Sequence, residues 1–233
     1  MTELFEDYYN YEFKQNYKDL EDQYDFLNKQ LTENKNKINF VVTHGSCSDG
    51  FMSSTIVWKW LKENNVDVSQ VTFFDAHHGN NFNKLPELMK DKYVLICDFS
   101  FNSELFERMI ETTKGNILVL DHHKTAQQEL SKINKKYVTF DMNHSGAFIT
   151  WMYMYGFNLP VPKAVLYVED NDIWLKKLPY TREYKAMLFL QSFTFEELLF
   201  CLQFFYNRIY NYICHFVICH FVICHFAFFT SCF

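Results

Sequence analysis

The sequence predicts an α/β protein: a parallel sheet flanked by helices on both faces, with an N-terminal helical extension and a helical C-terminal region. Three observations predict it. Short apolar runs rich in Val, Ile and Leu recur at residues 38–43, 68–74, 93–97, 116–120 and 137–140, each of strand length. Stretches with helical spacing separate them, the alternation that builds a parallel sheet. The runs end in polar loops bearing Asp and His, at the strand ends where an open α/β sheet carries its site.

The whole chain sets the bounds. Its 233 residues suffice for one substantial domain with an appendage, and 48% hydrophobic with 21% charged residues is an ordinary balance for a folded domain. The aromatic share, 19%, is high, and much of the excess lies near the two ends. A net charge of −6 gives no general basic footprint, so stable binding of duplex DNA is not expected and nucleotide contacts must be local or metal-mediated. Residues 1–10 are acidic and aromatic rather than a signal peptide, which points to a cytoplasmic protein. The 7 Cys do not form a disulfide framework, since Cys47 and Cys97 fall in core or site positions and the rest crowd the C-terminus.

Residues 1–37 form the helical extension, in which Leu20, Tyr24, Leu27 and Leu31 make an apolar stripe at three- and four-residue steps. The stripe predicts a structural cover on the body. Residues 38–180 carry the motifs. The first strand runs into His44-Gly45-Ser46-Cys47-Ser48-Asp49-Gly50, and a helix follows over residues 51–61. His44 and Asp49 can converge on a cation, while Gly45 and Gly50 permit close backbone approach; an ordinary Gly turn with an N-cap is the alternative.

The second run ends at Asp75-Ala76-His77-His78, read as a substrate-side or plain loop pair. The third ends at Asp98, where a carboxylate can bridge two metals or cap the helix over residues 103–112. The fourth delivers Asp121-His122-His123. One imidazole there can bind metal and the other an oxyanion, with the carboxylate fixing a tautomer. After the fifth, Ser145-Gly146-Ala147 open an aromatic helix over residues 148–155, with backbone N–H groups for a phosphate or, alternatively, an N-cap and close packing. A short helix over residues 163–168 precedes Glu169-Asp170-Asn171-Asp172. Carboxylates two residues apart cannot share a helix face, and the preference falls on Asp170 as ligand, with Asp172 in support.

Taken in order, His44 with Asp49-Gly50, Asp98, Asp121-His122-His123, Ser145-Gly146-Ala147 and Asp170 with Trp174 resemble the DHH phosphoesterase superfamily over residues 38–174. That superfamily includes RecJ-type exonucleases, nanoRNase-type oligonucleotide phosphatases and family II pyrophosphatases. The resemblance implies a catalytic domain with two Mn2+ ions, Mg2+ being the alternative. His44 and Asp98 would serve one ion; Asp49, Asp98, His122 and Asp170 would serve the other, with Asp98 bridging. His123 would face substrate phosphate, Asp121 would support the His loop, and Ser145, Gly146 and Ala147 would help hold substrate.

The implied function is metal-dependent hydrolysis of a phosphate ester or anhydride, of a phosphorylated small molecule, a nucleotide or a short oligonucleotide. Where the usual first motif offers two carboxylates after its His, here Ser46 and Ser48 flank Cys47 and only Asp49 remains, so the first metal would be the weaker one. That departure keeps open an alternative, a weak or inactive DHH-fold protein that binds a nucleotide or a partner.

Residues 181–208 read as helices with Leu and Phe stripes. Residues 209–233 form an apolar tail in which 213–227 repeat Ile-Cys-His-Phe-Val three times, the last with Ala227, a five-residue period that fits neither helix nor strand, as expansion of a short DNA repeat at a truncated or frame-shifted end would leave. Standard zinc-finger spacing is missing, and Asn211, Tyr212, His215 and His220 make a poor bilayer helix, so neither a zinc module nor a membrane span is expected.

Overall fold

In a computed structural model of the protein, the structure describes residues 29–157 and 159–190, together with Glu21, Asp22, Tyr24, Leu27 and Phe195. Leu20 and the apolar tail over residues 209–233 lie outside the described residues.

Five strands form one sheet in which every pairing is parallel: β1 Phe40–His44, β2 Thr72–Ala76, β3 Val94–Cys97, β4 Ile117–Asp121 and β5 Val138–Phe140. Their order is β2-β1-β3-β4-β5. The three inner strands read as near-continuous apolar runs because helices cover both of their faces. Edge strand β2 instead carries exposed Thr72 and Asp75.

Alternation along the strands divides the core in two. Val41, Leu95, Cys97, Leu118 and Leu120 face helices α2 Ser48–Glu63, α6 Gly146–Tyr155 and α7 Lys163–Asp172. Phe40, Val42, Val94, Ile96, Ile117 and Val119 face the other layer, which holds α3 Leu85–Leu88, α4 Ser103–Thr112 and the residues after α5 Lys124–Glu129. Over residues 38–190 the predicted strand and helix types are present, with boundaries shifted by a few residues; the helices expected over residues 1–20 and 191–208 lie outside the described residues. The shift that matters for the site is in α7, expected to stop at residue 168, which runs on through Asp172.

The extension covers the first of these layers. Leu27 and Leu31, the latter on the short helix α1 Lys29–Thr32, are buried there. Tyr24 donates its hydroxyl to the Ile149 carbonyl at 2.8 Å, and the Lys35 ammonium donates to the Tyr153 carbonyl. Beyond residue 180, α8 Thr181–Leu190 packs on α7, with the buried Tyr184 ring stacked on Tyr167 at 5.1 Å. Among the described residues, no helix is long and apolar enough to cross a membrane.

Register positions the chemistry. Thr43 pairs with Cys97, and Cys97 with Leu120, so the next residues in each chain, His44, Asp98 and Asp121, emerge side by side at the C-terminal edge. The strand order reverses direction between β1 and β3, which makes this edge the switch-point crevice of the sheet.

Candidate metal centre

Asp98 is the hub. It is 1% exposed and adopts a left-handed backbone, φ 56°, which costs a non-glycine residue energy and persists where the surroundings fix it. Its amide donates to the Leu120 carbonyl at 2.9 Å, prolonging the β3–β4 ladder past the strand. Its two carboxylate oxygens diverge. Oδ1 stands 3.2 Å from His122 Nε2, and Oδ2 stands 3.9 Å from His44 Nδ1.

Two more carboxylates meet the same His122 nitrogen, Asp172 Oδ2 at 3.3 Å and Asp49 Oδ2 at 3.6 Å. Three groups among the described residues could thus hold a metal ion: Asp98 with Asp121, His122 and His123; Asp49 with His122 and Asp172; and His44 with Cys47 and Asp98. The electrostatics favour a cation. Burial, and then the Asp49, Asp121 and Asp172 charges, push the Asp98 carboxyl far above the usual carboxylate range. Burial and Asp49 lift Asp172 to about 6. Asp98 Oδ2 is buried without a hydrogen-bond donor, a costly state that a divalent ion would relieve.

The Asp121-His122-His123 loop is built around its first residue. The buried Asp121 carboxylate accepts from the Ser100 hydroxyl at 2.7 Å and from the amides of His122 and His123 at 2.8 and 3.3 Å, and pairs with His123 Nδ1 at 2.6 Å. Burial pushes the Asp121 carboxyl up, but the bonds from His123 and Ser100 outweigh it and hold it below the ordinary value. The Asp121 bond raises His123 in turn, a partly exposed ring whose Nδ1 is engaged by Asp121 and whose Nε2 is free of that bond.

Three expectations are corrected. Asp170 is not at the centre. Its carboxylate accepts from the amides of Lys177, at 2.7 Å, and Leu178, and from the Thr181 hydroxyl, which fixes the turn between α7 and α8. Asp172 takes the place expected of it, because at 100° per residue a two-residue step along α7 is a rotation of about 200°. The Gly146 and Ala147 amides are not left for phosphate either. They donate to Asp49 at 2.7 and 2.8 Å, while Ser145 caps α6 by accepting from the Phe148 amide at 3.2 Å.

Asp49 therefore ties the first turn of α2 to the start of α6 directly behind the metal groups. Glycine is required at both helix starts. A Cβ on Gly50 would stand 2.2 Å from the His44 carbonyl oxygen, and one on Gly146 would stand 2.6 Å from Asp98 Cβ.

Cys47, in a core or site position by sequence, and Glu169 had no assigned role. Cys47 is the N-cap of α2, and burial and the Asp98 charge raise its thiol to about 12. Glu169 is buried and pairs with buried His144 Nδ1 at 3.1 Å, beneath the start of α6. His78 of the second His pair lies against His44, ring centroids 5.1 Å apart, and stacks on Phe99 at 4.9 Å. Its signal was topological, since β2 neighbours β1 only in the folded sheet.

Fold and site together define an α/β protein with a buried Asp/His centre at the switch point of a parallel sheet. No family model matches the chain. Over 168 residues it is 35% identical to the uncharacterized protein R106 of Acanthamoeba polyphaga mimivirus, a match that spans 70% of this chain and 39% of that protein. An uncharacterized protein from Helicobacter pylori G27 of solved structure aligns at 18% identity with a TM-score of 0.49, over 66% of this chain and 49% of the other.

Proposed function

We propose that the domain is a divalent-metal phosphoesterase that hydrolyses a phosphate ester or anhydride of a nucleotide or short oligonucleotide. One observation carries the reading: a single buried carboxylate, Asp98, turns its two oxygens toward two histidines from different strands, with Asp49 and Asp172 crowding one side. This is the arrangement of a carboxylate shared by two ions. The order of motifs that resembles DHH phosphoesterases supports the same reading, with Asp172 in the place given to Asp170.

Bound divalent ions would supply a Lewis acid for the phosphoryl oxygens and lower the pKa of an attacking water. The protein's own part is positioning and charge. Asp121 orients His123 and favours its protonated form, from which the outer nitrogen would donate to a non-bridging phosphate oxygen as negative charge grows there. Asp49 braces α2 against α6 and fixes the spacing of the carboxylates.

The test is Mn2+-dependent hydrolysis of a panel containing bis-p-nitrophenyl phosphate, adenosine 3′,5′-bisphosphate, short oligonucleotides, cyclic dinucleotides, pyrophosphate and polyphosphate, with Asp98→Asn as control. Turnover that the control loses supports the proposal. Turnover retained in Asp98→Asn refutes the site. Silence of folded, Mn2+-binding protein across the panel would favour the second reading, a DHH-fold binding protein. That reading draws on the first loop, where Asp49 is the one carboxylate and its two oxygens already accept backbone amides.

A further inference from the structure

The side of Asp98 away from His122 holds a donor set of a different chemical kind. Oδ2 faces His44 Nδ1 at 3.9 Å, and the ligand atoms of His44, Cys47 and Asp98 all lie within 4.8 Å of one another. Donors bound to one tetrahedral ion at about 2.0–2.3 Å stand roughly 3.3–3.7 Å apart, so a contraction of about 1 Å would bring the three onto a common ion. A second observation points to a ligand at this spot. Asp98 Oδ2 is buried and has no hydrogen-bond donor, and it is the oxygen directed at this group rather than at His122.

Burial and the Asp98 charge hold the Cys47 thiol protonated in the metal-free chain, and a bound cation beside it would oppose both. Cys47 is the N-cap of the 16-residue helix α2, whose positive end lowers the energy of an anion there. The left-handed residue Ser46, φ 58°, turns the chain between His44 and Cys47.

We infer that Cys47 is a metal ligand. Resting on the metal-centre reading above, this makes the centre two unlike positions: His44, Cys47 and Asp98 for a borderline-soft ion of the Zn2+ or Co2+ kind, and Asp49, Asp98, His122 and Asp172 for a harder ion such as Mn2+. Thiolate with imidazole selects the first class, while three carboxylates with one imidazole suit the second. The first position is then completed by sulfur rather than left short of a carboxylate.

The experiment is Co2+ titration of the metal-free full chain, read by absorption, with wild type compared with Cys47→Ser. Thiolate bound to Co2+ gives a near-ultraviolet charge-transfer band that oxygen and nitrogen ligands do not. The other six of the 7 Cys are common to both proteins, so the difference spectrum isolates Cys47. Serine is itself a favoured N-cap, which keeps α2 intact.

The expected result is a charge-transfer band in the difference spectrum. Cys47→Asp should lose the same band and weaken Zn2+ relative to Mn2+ about tenfold or more. Superimposable wild-type and Cys47→Ser spectra overturn the inference. If Co2+ binding by calorimetry still depends on Asp98 in that case, the metal centre stands without the thiolate; if it does not, both fail.

Discussion

Asp172→Asn separates stability from metal binding more sharply than any other substitution at the centre. Asp172 lies between Asp49 and His122, with its side chain 22% exposed. Burial and the Asp49 charge lift its carboxyl from 3.8 to about 6 in the folded chain, which corresponds to a penalty of about 3 kcal/mol on the ionised form near neutral pH. Asparagine has nearly the same shape and carries no charge. In a chelator, at about pH 7.5, the variant should therefore be more stable than wild type, by up to about 3 kcal/mol.

The sign follows from linkage. A carboxyl raised in the folded state binds its proton more tightly there, so its penalty is full above the folded value of about 6 and fades as pH falls toward 3.8. The difference between the two proteins should shrink steadily over that window. Urea unfolding in chelator at several pH values, followed by circular dichroism, measures it. With Mn2+ in about hundredfold excess over Kd the difference should nearly cancel. Wild type gains about 2.7 kcal/mol at a hundredfold excess of Mn2+ over Kd, and the variant, short of one ligand, gains little. A variant less stable than wild type in chelator at neutral pH would refute the electrostatic argument. An unchanged response to Mn2+ would remove Asp172 from the centre.

Asp170→Asn should do the opposite, costing about 1–3 kcal/mol of stability as the clamp on Lys177, Leu178 and Thr181 weakens, with Mn2+ affinity by calorimetry unchanged. Gly146→Ala should cost about 1–3 kcal/mol by unfolding and also weaken metal binding, because the new methyl meets Asp98 Cβ at 2.6 Å and Asp49 Oδ2 at 2.9 Å. His123→Ala should lose stability that is present below the unfolded value of 6.5 and vanishes as pH rises through the raised folded value. Unfolding midpoints at pH 6 and pH 9 test this; an equal loss at both would mean that the Asp121 pairing does not set the charge of His123.

The sheet was legible because each inner strand is a run of apolar residues too short for a helix, and the polar residue that stops each run is itself a site residue. His44, Asp98 and Asp121-His122-His123 could be read at once, since a strand end fixes where its next residue goes. What escaped depends on phase and on partners distant in sequence. Asp170 and Asp172 differ only by half a helical turn, and no local signal showed that α7 continues through both. The start of α6 looked like an anion site because its claimant, Asp49, stands about a hundred residues earlier. Its carboxylate satisfies the same amides that a phosphate would have used.

That last point bears on how the centre is held together. Asp49 accepts two α6 amides and also faces His122, so one carboxylate of the candidate centre doubles as the cap of a core helix. Asp98 likewise extends the β3–β4 ladder through its amide while its side chain faces His44 and His122, in a backbone conformation that glycine would adopt with less strain. A chain free to relax here would place glycine at 98, lose the shared carboxylate, and relieve the repulsion among Asp49, Asp98 and Asp172. The sequence keeps the strained, charged alternative at a position where it weakens the metal-free fold. Such a position makes physical sense if a cation restores the lost stability, and it couples the order of α2, β3 and α6 to occupancy of the same centre.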